Sequence, residues 1–584
     1  MSAAKAWQRA LQLTAPIARE PLRTFPVVVE EAARLFGERP ALLSDVQTLS
    51  YRELDARANQ YARWALAQGL GKGDTVGLLM RNRPEYAAFW LGLTRAGCVV
   101  ALLNTNLTGS SLAHCVGAAA PAHIVADGDL AAGLHGTRTA AKIWAHGAHD
   151  TLPRIDVAVD REPREKPQAL QGLAPAVDDT ALLIYTSGTT GWPKAARVSH
   201  ARVMQWSLWF AGMIGAGPDD RLYNVLPMYH SVGGVVALGC MLASGGSVVV
   251  RDGFSARHFW DELGRWDCTL FQYIGELCRY LLRAETAPQE TEHRLRMCCG
   301  NGLRPDIWAA FQRRFRIPHI FEFYASTEGN VSLFNIEGKP GAVGRIPPYL
   351  AHRFPTTLIQ VDAETGQPLR DPRGLCMPCA ANEPGEALGR IGGDASSVGG
   401  RFEGYTSHEA TQEKILRNVL QSGDSWFRTG DLMRRDEQGY FYFLDRLGDT
   451  FRWKGENVST AEVAAALCAF PGVDDACVYG VAVPGSDGRA GMAALVAPGT
   501  LDLSALRRHI EEQLPSYARP LFLRVRAAPE LTGTFKHAKQ ELLRQGFDPR
   551  SNSDPIFIYD GRLHSYVRID APLYEELRTG RLGL

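Results

Sequence analysis

The chain has 584 residues, of which 63 are basic and 63 are acidic, so its formal net charge is zero. This balance provides no overall field that would recruit nucleic acid or an anionic membrane, and we expect no nucleic-acid partner. A hydrophobic fraction of 45% and a charged fraction of 22% are typical of a globular protein and exclude a disordered one. The length exceeds that of one ordinary domain.

The cysteines and the N-terminus indicate the compartment. Eleven cysteines are scattered without the spacing of a disulfide framework, and the N-terminus lacks a long apolar segment, which predicts a reducing, cytoplasmic location. Cys376 and Cys379 form a lone CxxC pair, and two loop thiols are favoured because a zinc site needs a second pair. No stretch reaches the ~20 apolar residues of a membrane span. Any membrane contact is therefore expected to be peripheral, at the inner face of a membrane.

The first half of the chain alternates between helical and extended patterns. Ser50 and Glu53 form an S-x-x-E capping box, which predicts the start of a helix. Short apolar runs predict strands over residues 75–80, 98–103, 181–185, 247–250 and 269–273. Alternation of strands and helices predicts an α/β fold with parallel sheets and helices on both faces.

The pattern changes near residue 446. An aromatic strand over 440–446 is followed by turn residues at 447–450, and Ser459 and Glu462 form a second capping box. A strand is predicted over 476–483. We therefore predict a large N-terminal domain over 1–446, a hinge over 447–449 and a small α+β C-terminal domain over 450–584.

A run of glycines and hydroxyls follows the apolar strand at 181–185 and reads Y-T-S-G-T-T-G-W-P-K from Tyr185 to Lys194. Glycines allow successive backbone amides to surround an anion, and hydroxyls with a lysine add donors for a polyphosphate. The run is not a Walker loop, because Lys194 does not follow a glycine directly. The predicted phosphate-binding residues are Thr186, Ser187, Gly188, Thr189, Thr190, Gly191 and Lys194.

This run resembles the phosphate-binding signature of the adenylate-forming superfamily, which includes acyl-CoA synthetases. The segment Phe323–Glu328 looks like the Y-G-x-T-E motif of that family, with Ala325 in place of the usual glycine. The resemblance implies that Tyr324 packs on adenine, Thr327 contacts phosphate and Glu328 helps to hold Mg²⁺. A flat aromatic ring suits a purine face, and Mg²⁺ prefers one or two carboxylates with phosphate oxygens.

Further motifs resemble the same superfamily. In the R-T-G-D segment, the resemblance implies that Asp431 accepts the ribose hydroxyls, and Arg446 matches an arginine that contacts the ribose. The turn Gly300, Asn301 and Gly302 resembles the one that borders adenine. His230 matches a histidine between the acyl pocket and the nucleotide, so we expect it to position substrate; a structural histidine is the alternative.

A lysine near the C-terminus completes the resemblance. Lys536 matches the superfamily lysine that contacts the carboxylate and the α-phosphate during adenylation, although T-F-K replaces the usual T-G-K. A cation at that point stabilises charge in the transition state. An exposed loop lysine is the alternative interpretation.

The segment Asp445–Thr460 resembles the fatty acid transport protein branch, the very-long-chain acyl-CoA synthetases. In that family the small domain rotates between the two half-reactions, which implies a hinge at Gly448 and Asp449. The glycine departs from the usual pivot residue, and its backbone freedom suits a hinge. The residues expected to line the entry for CoA are Arg452, Trp453, Lys454 and Gly455. A solvated basic turn is the alternative.

Gly234 lies where some bacterial long-chain synthetases place a tryptophan gate, four residues after the motif histidine. This predicts an acyl tunnel that is open to long or bulky chains. Because each buried CH₂ contributes only ~0.8 kcal/mol, chain-length preference is expected to be broad.

The sequence therefore predicts a ligase that forms acyl-AMP from a long-chain or very-long-chain fatty acid and Mg·ATP, and then acyl-CoA. Fatty acid, ATP and coenzyme A are the expected partners, with Mg²⁺ bound beside ATP. Two alternatives remain: an adenylating enzyme with another acceptor, and a non-catalytic lipid-uptake protein. A homodimer is left open.

Overall fold

The computed structural model describes residues 2–172, 174–186, 192–362, 365–392, 401–447, 451–453, 456–484, 488–529, 539–551 and 553–579. Contacts between residues divide the chain into two compact units. The first unit takes the segments Met1–Thr356, Gly389–Arg417 and Ser425–Phe427. The second unit takes Thr357–Leu388, Asn418–Asp424 and Arg428–Leu584. The hinge at 447–449 stays a prediction, because Gly448 and Asp449 lie outside the described residues.

One sheet of the first unit is parallel except at one edge. Its described strands follow in the order Lys142–His146, His123–Asp127, Thr75–Leu79, Val99–Leu102, Thr180–Thr186 and Lys194–Ser199. The last two pair antiparallel, which places the phosphate motif in a hairpin. The strands predicted over 75–80, 98–103 and 181–185 are confirmed to within a residue or two.

A second sheet of the first unit carries the remaining predicted strands. Its described strands follow in the order Gly344–Arg345, Ser332–Asn335, Ile320–Ala325, Met297–Asn301, Leu270–Ile274, Arg221–Asn224, Ser247–Val250, Pro40–Leu43 and Thr48–Ser50. From Ile320–Ala325 to Pro40–Leu43 neighbouring strands are parallel. Their carboxyl ends meet at one edge, where α/β sheets commonly bind ligands.

Helices cover these sheets. The described α-helices of the first unit are Ala3–Thr14, Phe25–Phe36, Tyr51–Ala67, Pro84–Arg95, Gly109–Ala119, Ile155–Asp160, His200–Ile214, Ala237–Leu242, Phe259–Arg265, Gly275–Arg283, Pro305–Arg314 and His408–Glu413. The predicted capping box is confirmed: Ser50 Oγ accepts from the Glu53 amide, and Glu53 accepts from the Ser50 amide. Pro84–Arg95 is buried along its whole length. No helix in the described part of the chain has the length and hydropathy of a membrane span.

The second unit contains a mixed sheet, as predicted for an α+β fold. Its described strands follow in the order Asp475–Val481, Ala490–Val496, Phe522–Arg526, Ile556–Asp560 and Ser565–Arg568. Its described helices are Thr460–Cys468, Leu503–Gln513, Lys539–Gln545 and Ala571–Arg578. A short hairpin joins Phe451–Trp453 and Glu456–Val458. The remaining described strands of the chain are Thr356–Ile359, Gly385–Ile391, Ile415–Arg417, Ser425–Arg435 and Tyr440–Arg446.

The aromatic strand is tied to the next helix within the second unit. The carboxylate of Asp445 accepts a hydrogen bond of 2.8 Å from the Thr460 amide, and the Thr460 hydroxyl also donates to it. Burial raises the pKa of Asp445 above its usual value. Ser459 caps the helix by accepting from the Glu462 amide. The predicted helix start is therefore confirmed, and a buried carboxylate joins it to the strand that precedes the predicted hinge.

Candidate active site

The first and last described residues of the phosphate motif belong to two paired strands. Thr186 ends one strand and pairs with Lys194, which begins the next. Both strands continue into the core of the first unit, because Ile184 and Ala196 are fully buried. The predicted phosphate residues between them lie outside the described residues: Ser187, Gly188, Thr189, Thr190 and Gly191. The structure therefore positions the two ends of the loop, and the contacts of its middle stay predictions.

Lys194 pairs with an exposed acidic residue. Its ammonium lies 2.8 Å from the Glu413 carboxylate and 5.8 Å from the centre of the Tyr405 ring. Hydrogen bonding to Lys194 holds the pKa of Glu413 below its usual value. Ion pairs between exposed side chains are weak, and the Glu413 side chain is 58% exposed. A polyphosphate can therefore replace Glu413 as the partner of Lys194.

A buried arginine fixes the segment that contains Thr327 and Glu328. Arg202 lies on the helix His200–Ile214 and donates to the carbonyl oxygens of Thr327, at 2.8 Å, and Gly329, at 3.1 Å. It also donates to the Arg401 carbonyl oxygen at 2.7 Å. Burial lowers the pKa of the guanidinium. These bonds hold the backbone on both sides of Glu328, so the direction of its half-buried side chain is restricted.

Hydroxyl groups connect this segment to the predicted acyl side. The hydroxyls of Ser231 and Thr327 lie 3.1 Å apart. Ser231 follows His230, whose ring is 4.5 Å from that of Tyr229. The Tyr229 hydroxyl accepts from the side-chain amide of Asn106 at 3.0 Å. The structure thus brings the histidine motif next to Thr327, and the roles of His230 and Thr327 stay predictions.

Close packing of the backbone explains why residue 234 is a glycine. It lies in the π-helical turn Val232–Val236, and an added Cβ would lie 1.8 Å from the Met228 carbonyl oxygen. The missing side chain thus allows two backbone segments to approach each other. The open acyl tunnel stays a prediction, and this close contact gives the glycine a separate structural reason.

The predicted adenine turn lies at the carboxyl end of a parallel strand. Gly300 packs so closely on Tyr273 that an added Cβ would lie 2.2 Å from the Tyr273 carbonyl oxygen, and Gly302 adopts a positive φ of 81°. The carboxyl group of Glu322 accepts from the Leu303 amide at 3.0 Å and from the Tyr273 hydroxyl at 2.5 Å. Burial raises the pKa of Glu322 to about 8. Asn301 ends this strand, and Tyr324 lies half-buried near the end of the neighbouring one.

The predicted ribose residues pair within the second unit. Asp431 lies opposite Arg446 in an antiparallel pair, and Arg446 Nε is 3.3 Å from Asp431 Oδ1. The preceding part of the strand Ser425–Arg435 is held by the buried Glu386, which accepts from the Arg428 guanidinium and from the Gly430 amide. The two residues that the sequence assigns to the ribose are therefore adjacent, on a pair of antiparallel strands.

The remaining predicted residues are mostly beyond the described part of the chain. Lys536, Gly448, Asp449, Lys454 and Gly455 lie outside the described residues, as does the side chain of Arg452. Trp453 is 5% exposed and belongs to the hydrophobic core of the second unit. Packing therefore accounts for this tryptophan, and its contact with CoA stays a prediction.

Sequence reasoning missed several residues that shape the site: Ser231, Arg202, Tyr405 and Glu413. Ser407 caps the helix His408–Glu413 and is a local signal for that helix. Nothing in the local pattern connects the helix with Lys194, because Glu413 is 219 positions away. The same holds for Tyr405 and Glu328, which are 77 positions apart.

Comparisons with known proteins agree with the motifs. A model of the AMP-binding enzyme family matches residues 29–388, and a model of the AMP-binding enzyme C-terminal domain matches residues 462–536. Long-chain fatty acid transport protein 1 of Mus musculus is 41% identical over 573 residues, covering 96% of this chain and 88% of that protein. Long-chain fatty acid transport protein 6 of the same species is 38% identical, covering 92% and 88%.

The fold of this chain is also similar to that of solved structures. ATP-bound MatB from Rhodopseudomonas palustris is 25% identical, with a TM-score of 0.74 and coverage of 88% of this chain and 98% of that chain. The anthranilate CoA ligase AuaEII in complex with anthranoyl-AMP is 20% identical, with a TM-score of 0.75 and coverage of 89% and 96%.

Proposed function

Because this chain belongs to the AMP-binding enzyme family, we propose that it is a long-chain or very-long-chain fatty acyl-CoA synthetase. Its fold is that of adenylate-forming enzymes, and the proposed reaction is that of an acid-thiol ligase. A fatty acid and Mg·ATP give acyl-AMP and pyrophosphate, and attack by the CoA thiol then gives acyl-CoA and AMP. The relatives named as long-chain fatty acid transport proteins support this class of acid.

The observation that carries the proposal is the meeting of two motifs in the first unit. The Tyr405 hydroxyl donates to Glu328 at 3.1 Å and shares a hydrogen bond with Thr186. The end of the phosphate-loop strand and the predicted metal carboxylate are thus joined through one side chain. Hydroxyls and a cation suit phosphate oxygens, and the carboxylate suits the Mg²⁺ that accompanies them.

Glu328 fits the proposed Mg²⁺ site. It is a half-buried carboxylate whose flanking backbone is held by Arg202, and it lies beside the hydroxyl-bearing Thr327. One carboxylate with phosphate oxygens is a donor set that Mg²⁺ prefers. When bound, the ion neutralises charge on the phosphates.

In the first half-reaction, the proposed roles follow the charge that develops on phosphate. Lys194 exchanges Glu413 for phosphate oxygens, and the hydroxyl of Thr327 donates to phosphate. Lys536 stabilises charge on the carboxylate and α-phosphate as the new bond forms. His230 positions the acid, and Tyr324, Gly300, Asn301 and Gly302 surround the adenine.

The second half-reaction is proposed to use the C-terminal part of the chain, residues 450–584. Rotation about Gly448 and Asp449 removes Lys536 and admits CoA, whose phosphates are met by Arg452 and Lys454. AMP is a good leaving group, so the thiol attacks the mixed anhydride readily. The proposal also includes a cytoplasmic location with peripheral membrane contact, as a fatty substrate would favour.

Mass spectrometry of the purified protein with Mg·ATP and fatty acids of increasing length, with and without CoA, tests the proposal. We expect acyl-CoA only when CoA is present, and acyl-AMP when it is omitted. Glu328→Gln is the negative control, and it should form neither acyl-AMP nor acyl-CoA efficiently. Acyl-AMP that never transfers to CoA would indicate another acceptor, and no adenylate at all would favour a lipid-uptake protein without catalysis.

A further inference from the structure

Tyr405 contacts three residues that the proposed function assigns to ATP. Its hydroxyl donates to Glu328 Oε1 at 3.1 Å and shares a hydrogen bond with Thr186. Its ring centre lies 5.8 Å from the Lys194 ammonium. The residue is only 4% exposed. One buried phenol therefore connects the strand end, the cation and the carboxylate of the phosphate site.

The backbone around Tyr405 is firmly held. Its amide donates to Thr411 Oγ1 at 2.9 Å, and the next amide donates to the Ala195 carbonyl oxygen at 2.9 Å. Tyr405 also forms a bridge to Ala196 in the strand that starts at Lys194. The preceding Gly404 has a positive φ of 71°, which glycine adopts without strain. The hydroxyl is thus fixed relative to the phosphate-loop hairpin.

The phenol is the donor of this pair. A carboxylate only accepts hydrogen bonds, so the bond of 3.1 Å runs from the Tyr405 hydroxyl to Glu328 Oε1. A donor fixed on one carboxylate oxygen sets the orientation of the group, as partners of metal-binding side chains commonly do.

We propose that Tyr405 is a positioning residue, which holds the Glu328 carboxylate in the orientation that binds the magnesium of Mg·ATP. The inference rests on the proposed function, because that function assigns Glu328 to the metal. Tyr405 itself touches neither the metal nor the reacting atoms in this role. It acts through Glu328 and links it to the end of the phosphate-loop strand.

The test is calorimetric titration of Tyr405→Phe with Mg·ATP and, separately, with ATP in EDTA. Loss of a hydrogen bond to a metal-binding group commonly lowers metal affinity by about tenfold or more. We expect the Kd for Mg·ATP to rise about tenfold and the Kd for metal-free ATP to stay the same. Tyr223→Phe is the matched control, because Tyr223 is another buried tyrosine of the first unit that donates to a carboxylate, that of Glu262. It should change neither Kd.

A double-mutant cycle with Glu328→Gln separates positioning from packing. If Tyr405 acts through the carboxylate, Tyr405→Phe should have little further effect on Mg·ATP binding once Glu328 is replaced. Tyr405→Leu, which also lacks the donor, should give the same metal dependence. The inference would be overturned if Tyr405→Phe weakened binding of Mg·ATP and of metal-free ATP equally, or weakened neither. It would also be overturned if the effects of Tyr405→Phe and Glu328→Gln on Mg·ATP binding were additive. These titrations need no turnover, so a wild-type protein that forms no acyl-AMP would instead contradict the proposed function.

Discussion

At Glu322, burial and hydrogen bonding act in opposite directions on one carboxyl group. Burial favours the protonated form, whereas donation from the Tyr273 hydroxyl, and then from the Leu303 and Gly302 amides, favours the charged form. Burial dominates and raises the pKa to about 8, from a usual value of 4.5. The group that holds the predicted adenine turn is therefore neutral over most of the physiological range.

This shift predicts a pH dependence of stability. The folded protein keeps the Glu322 proton up to pH about 8, whereas the unfolded chain releases it near 4.5. The stabilisation is fully present below pH 4.5 and is lost as the pH rises through about 8, at up to about 1.4 kcal/mol per pH unit. Urea unfolding across this range should show wild-type stability falling, and Glu322→Gln should flatten that fall.

Glu290→Gln is the matched control for that experiment. Glu290 is paired with Arg314, and this hydrogen bond is the main reason that its pKa is lowered. Its stabilisation is therefore lost only as the pH falls through its folded-state pKa, below the range where Glu322 titrates. In the control, the free energy of unfolding should fall with pH as steeply as in the wild-type protein. A Glu322→Gln variant with that same slope would show that Glu322 is ionised in the folded protein.

At the scale of elements, the turn after His230 depends on two glycines. Gly233 and Gly234 lie in the π-helical turn Val232–Val236, and added Cβ atoms would lie 2.6 Å from the Pro227 carbonyl oxygen and 1.8 Å from that of Met228. The helix packs onto the loop that precedes it, backbone against backbone. Such contact keeps His230 and Ser231 close to the following helix, and it tolerates no side chain.

Gly234→Ala should therefore destabilise the fold, by about 1–3 kcal/mol as for other overpacked cores. Gly264→Ala is the control, because Gly264 lies in the helix Phe259–Arg265 and an added Cβ there meets nothing within 4 Å. It should be neutral or slightly stabilising. Thermal unfolding and a chain-length panel are measured together. A stable Gly234→Ala variant with a shortened chain preference would support the open-tunnel interpretation over the packing one.

Local sequence patterns predicted the helix starts and the strands well, but they did not predict contacts between residues that are far apart in the sequence. The capping box at Ser50, the strand Ser247–Val250 and the aromatic strand Tyr440–Arg446 each follow from neighbouring residues. Tyr405 and Arg202 contact the segment around Glu328 from 77 and 125 positions away in the sequence, through hydrogen bonds that leave no periodic signal. Trp453 is the opposite case. The sequence assigns it to the CoA entry because it lies in a segment that resembles a family motif, but the structure buries it in the hydrophobic core of the second unit.

At the scale of the whole molecule, the assigned residues lie on both sides of the predicted hinge in the sequence. Lys194, Glu328 and Asp431 precede Gly448, and Lys454 and Lys536 follow it. A two-step reaction needs different groups at different times, and domain movement is a common way to exchange them. Assigned residues on both sides of the proposed hinge therefore predict that the two half-reactions can be impaired separately.

Two substitutions should separate the half-reactions. Lys536→Ala removes the cation proposed for adenylation and should slow acyl-AMP formation by about a hundredfold or more, while transfer from supplied acyl-AMP to CoA continues. Gly448→Pro restricts φ at the proposed pivot. It should slow the transfer from acyl-AMP to CoA and leave acyl-AMP formation unchanged. Single-turnover mass spectrometry with ATP or with synthetic acyl-AMP measures each step.

Lys72→Ala is the control for the loss of a lysine, because Lys72 is half-exposed and pairs with Asp179. It should leave both steps unchanged. If Lys536→Ala adenylates normally, the lysine is an ordinary loop residue and another group must stabilise the charge. If Gly448→Pro slows both steps equally, the backbone at 448 serves folding or ATP binding and the pivot lies elsewhere. Opposite effects of the two variants would place the catalytic lysine and the hinge in one cycle, with Lys536 needed before the rotation and Gly448 during it.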